Sequence, residues 1–290
     1  MLGEVREIIH WPEDENGERC RIVIIDTGVN PDLPLVDAVN LTAERLIDRR
    51  EHGSLIQEII HALLPSANYY FIKIPDPCAD DILLTALNEA VKWRPHAINL
   101  SFTSDIPSDG DDPVSLYVDH VSKHSTVCIA AGNSGPRFLT IGSPAASRNG
   151  ITVGGVTMKR KIWNKSSRGP TLDGRWKPNI VAPQGYSLDG EKLRGTSFST
   201  PLATAAAALL MREVNDSYIV RRILELTAFS IPLKYSSKYR PQRLERIIDA
   251  VYTMKDPRNI IGAGLLDVEH ALYYAKFLRN IILRGEENIK

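Results

Sequence analysis

Four polar residues of this chain stand beside glycines or where short apolar runs end, and their types compose a nucleophile, a base and supporting groups. Asp26 follows the run Arg21–Ile25 in Asp26-Thr27-Gly28, and His52 leads into Gly53-Ser54. Asn133 lies in Gly132-Asn133-Ser134-Gly135, and Ser197 in Gly195-Thr196-Ser197 ahead of an alanine-rich segment. A serine hydroxyl is a weak nucleophile until an imidazole takes its proton. A buried carboxylate holds that imidazole in the useful tautomer and stabilises the imidazolium. An amide such as Asn133 offers an N–H donor to the oxyanion of a tetrahedral intermediate. Ser197 at a helix start adds its own N–H and the positive end of the helix dipole. Singly, Asp26 reads as a turn residue and His52 and Ser197 as ordinary helix starts. Their joint occurrence points to acyl transfer.

Such groups meet only if a scaffold brings several strand ends to one edge. Arg21–Ile25, Tyr69–Ile74, Ala97–Ser101, Thr126–Ala131 and Ile151–Val156 are short and largely aliphatic, as in strands covered on both faces. Leu55, Ile56, Ile59, Ile60 and Leu63 repeat at helical spacing, as do Ile82, Leu83, Ala86, Leu87, Ala90 and Val91. Further helices are predicted over Asp112 to Ser125, Ser199 to Arg212 with Pro201 in its first turn, Tyr218–Thr227, Gln242–Met254 and Val268–Arg279. This alternation predicts an α/β fold, a three-layer doubly wound parallel sheet with helices on both faces. Ligand-handling groups then lie at the carboxy ends of the strands. With no repeat or linker, residues 1–290 read as a single domain.

Composition narrows the partners. The 35 basic and 35 acidic residues cancel, which speaks against nucleic acid or an anionic membrane surface as a general ligand. The longest apolar run, Leu202 to Met211, is too short to span a bilayer. The amino terminus is acidic and lacks a secretory signal pattern. Cys20, Cys78 and Cys128 have no metal or disulfide spacing, so a reducing, cytoplasmic setting is expected. His120 and His124, four apart on one predicted helix, have no evident further ligands.

The ordered blocks resemble the subtilisin-like serine proteases (subtilases) over nearly the whole chain. Arg21–Gly28 is similar to their Asp block, His52-Gly53-Ser54 to the His block, and Gly195-Thr196-Ser197-Phe198-Ser199-Thr200-Pro201 to the Ser block, in the family's order Asp, His, Ser. Ile98–Phe102 resembles the substrate-pairing strand, Ala130–Gly135 the oxyanion segment, and Lys177–Pro183 and Gly262–Val268 the flanks of the serine helix. The resemblance implies a serine endopeptidase in which Asp26 orients, His52 is base then acid, Ser197 attacks and Asn133 holds the oxyanion. It also implies that Ser101, Phe102 and Thr103 lie beside the substrate backbone, that Ala131 and Gly132 line the specificity pocket, and that Ser143–Pro144 is cis. A peptide or protein is then the substrate, paired by strand addition.

Several positions depart from the family pattern. Leu55 stands where a second histidine is usual, Glu51 stands beside His52 and is expected in solvent, and Phe102-Thr103 replaces glycines. The loop that builds the strong calcium site is missing, so no metal and no cofactor are expected. Asp26 lies close to Met1, so no folding prosegment is expected ahead of it, and a regulatory protein partner is expected to restrain activity. Asp76, Asp80, Asp81, Asp105, Asp109, Asp111 and Asp112 read as solvated loop charge, or else as an attractor for substrates basic near the cut. The rivals are a peptide-binding scaffold with little turnover and a transpeptidase in which an amine resolves the acyl-enzyme. An aspartic protease is disfavoured because the chain has a single Asp-Thr-Gly.

Overall fold

The computed structural model describes residues 2–48, 52–188, 190–232 and 256–287. Seven parallel strands form the central sheet: β1 (Arg21–Asp26), β2 (Asp37–Asn40), β3 (Asn68–Lys73), β4 (Ala97–Leu100), β5 (Thr126–Ala130), β6 (Ile151–Val156) and β7 (Ile180–Pro183). Their spatial order is β2-β3-β1-β4-β5-β6-β7. The order reverses between β1 and β4, the place where an open α/β sheet leaves a crevice at its carboxy edge. A small antiparallel pair, β8 (Ser187–Leu188) and β9 (Glu191–Lys192), lies outside it.

Strand β1 shows why the predicted runs are continuously apolar. Ile22 and Ile24 face one core with helices α2 (His52–Leu63), α5 (Thr196–Val214) and α8 (Val268–Glu287). Val23 and Ile25 face the other with α3 (Asp80–Lys92) and α4 (Pro113–Val121). Both faces are therefore buried, as the reading of a three-layer α/β fold requires. Helices α1 (Gly3–Ile8), α6 (Ser217–Thr227) and α7 (Arg258–Ile261) complete the described elements.

Helix α5 runs through the larger core. Leu202, Ala203, Ala205 to Ala208, Leu209 and Leu210 are all buried completely. A helix apolar on every side is an interior helix, and its small alanines let its axis approach the sheet closely.

Four sequence expectations are corrected. Strand β2 was not predicted, because Asp37-Ala38-Val39-Asn40 is a polar edge strand with no apolar signal. Ile180–Pro183, which the sequence marks only as a flank of the serine helix, forms strand β7. Helix α4 ends at Val121, so His124 lies beyond it, and no metal-binding group of His, Cys, Asp or Glu occurs among the described residues. Helix α5 begins at Thr196, three residues earlier than predicted, which puts Pro201 inside the helix. The predicted helix Gln242–Met254 and Glu51 lie outside the described residues. Among those described, no helix is long and apolar enough to cross a membrane, and all three cysteines are free thiols.

Ala206→Leu is expected to overpack the α5–sheet contact and cost about 1–3 kcal/mol. Thermal unfolding reads this as a lowered Tm, and an unchanged Tm contradicts the packing described.

Candidate active site

Asp26 ends β1, and the chain then turns sharply through Gly28. A Cβ on Gly28 would come within 2.7 Å of Asp48 backbone atoms, and its φ of +149° also favours glycine. Helix α2 starts at His52 against this turn. Gly53 allows the approach, since a Cβ there would meet the Gly28 carbonyl oxygen at 2.4 Å. His52 Nδ1 is thereby held 2.8 Å from Asp26 Oδ1. The same oxygen accepts the Thr27 N–H at 2.8 Å. Asp26 is 2% exposed and its buried Oδ2 has no hydrogen-bond partner among the described residues, so there the carboxylate is held chiefly through Oδ1.

The His52 ring packs on Phe198 with centroids 5.8 Å apart. Burial by itself lowers the proton affinity of this imidazole. The attraction and hydrogen bond of Asp26, followed by the charges of Asp48 and Asp76, outweigh that and leave the His52 pKa raised.

Ser197 is the second residue of α5, where the backbone N–H has no intrahelical partner. Pro201 has no N–H, so it cannot bond the Ser197 carbonyl one turn back. Ser101 Oγ takes that place at 2.9 Å. Ser101 is itself held by Asn99 Nδ2 at 2.8 Å, and Asn99 Oδ1 accepts from Thr204 Oγ1 of α5 at 2.8 Å. The next carbonyl, of Phe198, accepts from the buried Tyr186 hydroxyl at 2.7 Å. The interruption at Pro201 thus ties the start of α5 to β4 and to the segment after β7.

Asn133 follows β5 and is exposed. Its Oδ1 accepts from the Thr196 N–H at 3.0 Å and Thr196 Oγ1 at 3.2 Å. That leaves the Nδ2 donors for the cleft. Gly132, at φ +101°, could not carry a Cβ without meeting Ser167 Oγ at 2.8 Å and Thr103 at 3.0 Å.

Asp26, His52, Asn133 and Ser197 line one cleft of about 1050 Å³, together with Ser101, Phe102, Thr103 and Gly132. The Ser143–Pro144 peptide on its wall is cis. His52 and Ser197 share the cleft without a hydrogen bond between them among the described residues, and such bonds commonly tighten only when substrate is seated. Ala131 does not line the cleft. It is buried completely in the core beside α3 and α4, because the alternation along the segment after β5 turns it inward, and Ala130 lies on the wall instead. Asp76, Asp80, Asp105, Asp109 and Asp112 also line the cleft, and no lysine or arginine does so among the described residues. Burial works to raise the Asp112 pKa, but bonds from Ser143, Ser115 and Ser108 outweigh it and leave the pKa lowered.

No sequence signal singles out Asp48 or the supporting roles of Thr27 and Thr196, while Asp76, expected as loop charge or a substrate attractor, also bears on His52. Asp48 carries no motif signal apart from nearness to His52, and Thr27 stands inside Asp26-Thr27-Gly28 with no separate role legible there. Thr196 could have been found as the neighbour of Ser197.

Residues 17–248 match the profile of the Subtilase family. Serine protease AprX of Bacillus subtilis (strain 168) is 26% identical over 279 residues, covering 74% of this chain and 62% of AprX. Membrane-bound transcription factor site-1 protease of Homo sapiens is 27% identical over 237 residues, covering 72% of this chain and 22% of that protein. The fold is similar to that of a lanthipeptide protease, with TM-score 0.70, 18% identity and 94% of this chain and 95% of that one covered. It is likewise similar to the prenylagaramide maturation protease PagA, with TM-score 0.68, 18% identity and coverage of 94% and 99%.

Because its pKa is raised, His52 is expected to titrate above 6.5 by NMR. The sign for stability follows: the bound proton stabilises the fold fully below the unfolded value and less as pH rises through the folded one. A His52 midpoint at or below 6.5 contradicts the electrostatic account.

Proposed function

This chain belongs to the subtilase family of serine-type peptidases, and we propose that it is an endopeptidase working through Asp26, His52 and Ser197, with Asn133 as oxyanion donor. The observation that carries this reading is the 2.8 Å contact between buried Asp26 and His52, on the same cleft as Ser197. Ser197 Oγ attacks the scissile carbonyl carbon as His52 Nε2 takes its proton. The resulting oxyanion is held by Asn133 Nδ2 and the Ser197 N–H. Loss of one such donor costs about 2.7–4 kcal/mol of transition-state stabilisation, a range established in subtilisin itself. The intermediate collapses as His52 protonates the leaving amine. Water then attacks the ester, again giving its proton to His52, and the acid product leaves with Ser197 restored.

Ser101, Phe102 and Thr103 follow β4 along the cleft, which suits main-chain pairing with an extended peptide. Phe102 in place of a glycine narrows this subsite. The cleft carries acidic side chains and no Lys or Arg among the described residues, although the whole chain has 35 charges of each sign. That asymmetry supports substrates with Lys or Arg near the cut. We further propose that a partner protein restrains the enzyme, that residues 1–290 act as one domain, and that the setting is cytoplasmic.

A fluorophosphonate probe is expected to label the wild-type chain and not Ser197→Ala. Equal absence of labelling favours the scaffold reading, and efficient casein hydrolysis by the purified chain alone removes the need for a partner. In a peptide library, cleavage is expected to be enriched for Lys and Arg within a few residues of the cut, and Asp76→Asn and Asp105→Asn should weaken the bias. A flat profile overturns the charge argument.

A further inference from the structure

Asp48 takes no part in the bond making and breaking described above, yet it meets both elements that hold the catalytic pair. Its Oδ1 lies 3.0 Å from Thr27 Oγ1, and its Oδ2 accepts the Ser54 N–H at 3.0 Å in the first turn of α2. Thr27 Oγ1 also lies 3.3 Å from Asp26 Oδ1 and accepts the Gly53 N–H at 3.2 Å. One hydroxyl therefore sits between two carboxylates, at the junction of the Asp26 turn and the His52 helix. We propose that Asp48 is a positioning residue, which draws the Thr27 proton away from Asp26, anchors the start of α2 and steadies the protonated His52 during turnover. The inference rests on the Asp26–His52–Ser197 reading.

The argument begins with proton counting. Thr27 has one hydroxyl proton for two acceptors, and the shorter contact is to Asp48. Committed there, it leaves Asp26 Oδ1 to His52 Nδ1 and the Thr27 N–H, each at 2.8 Å. Without the Asp48 acceptor, the hydroxyl turns to Asp26 and competes with the imidazole for the same oxygen. A carboxylate sharing its charge with another donor pulls less strongly on its histidine.

Geometry keeps Asp48 in place. Its N–H donates to the Val29 carbonyl at 3.2 Å, and Val29 donates to the Leu46 carbonyl at 3.1 Å. The backbone of Asp48 presses on Gly28, where a Cβ would not fit. Asp48 is 8% exposed, so water screens its charge poorly. The charged groups around the pair come from several elements. Asp26 reaches His52 from β1, Asp48 from the loop before α2, and Asp76 from the segment after β3. On the far side of Asp48, Lys73 of β3 lines the same small pocket with Glu44. The Lys73 ammonium donates to the carbonyls of Arg45 at 2.6 Å and Ile47 at 3.3 Å, and pairs with Glu44 at 3.3 Å. Its charge thus serves to hold the loop that delivers Asp48. Among the described residues, removal of Asp48 leaves Asp26 and Asp76 as the main acidic groups acting on His52, and both the lost charge and the turned hydroxyl weaken its hold on a proton.

The test is a titration of the His52 imidazole by NMR, assigned by its loss in His52→Ala, with steady-state kinetics on a peptide substrate. Asp48→Asn is expected to lower the His52 midpoint by about half a pH unit or more. The acid limb of kcat/KM should move down with it, while kcat falls by about tenfold and KM stays within about twofold. A variant that loses kcat while His52 titrates as in the wild type makes Asp48 a helix cap alone and overturns the proposal, as does a variant unchanged in both. Should Asp48→Asn fail to fold, Asp48→Ser decides by the same titration: it removes the charge and keeps a hydroxyl for the Ser54 N–H, so a lowered His52 midpoint supports the proposal and an unchanged one overturns it. The NMR readout does not need turnover. A shifted His52 in a chain that hydrolyses nothing leaves this inference standing and defeats the endopeptidase reading, whereas an active wild type with an unshifted variant defeats this inference alone.

Discussion

The entry of helix α5 into the core is the constraint on which the rest of the site depends. A fully apolar helix must be buried, and its burial against β4, β5 and β6 fixes where its first turn emerges. That turn carries Ser197 with a free N–H at the carboxy edge of the sheet. Pro201 breaks the internal bonding of the helix where it leaves the core, and Ser101 repairs the break from β4. A missing backbone donor is therefore converted into a tether between Ser197 and the segment that follows β4. Thr204, Asn99 and Ser101, which lead to the Ser197 carbonyl, are buried, so each needs its partner.

The second theme is charge placed in low dielectric. Burial would leave an isolated imidazole neutral, and it takes neighbouring carboxylates to reverse that. Asp26 is in direct contact, while Asp48 and Asp76 act from either side. The cleft continues the same sign outward through Asp80, Asp105 and Asp109. A net charge of zero thus hides a local field that is acidic where the substrate would lie.

The relatives place these details in context. Identity to the curated proteases is 26% and 27%, and the chain spans 62% of one and 22% of the other. In this chain a carboxylate, an imidazole and a serine come to one cleft. Phe102, which departs from the resemblance, lines the cleft, and Leu55, which also departs from it, packs from α2 against the larger core, while Asp26 and His52 stay in contact at 2.8 Å. Close approaches at Gly28 and Gly53, where a Cβ would meet backbone atoms at 2.7 and 2.4 Å, set the Asp26 turn against the His52 helix.

Much was legible in the amino-acid order. Runs apolar on successive positions specify strands buried on both faces, and these, alternating with helical spacing, specify the parallel α/β sheet. Asp26, His52, Asn133 and Ser197, each in a short block of recognisable type, were expected together from the sequence, and they line one cleft. What lay out of reach depends on contacts between distant segments. Strand β2 has no apolar pattern and exists through its pairing with β3. Ala131 faces the core and Ala130 the cleft through a one-residue difference in phase that composition does not carry. Asp48 became significant only when folding set its carboxylate against Thr27 and Ser54. Sequence by itself determined which groups could do the chemistry and what scaffold would carry them, since both are written in residue type and period. Tertiary structure decided which carboxylates face the histidine and which hydroxyl supports the serine helix, because hydrogen bonding and charge act over a few ångströms and only the packed chain sets those distances.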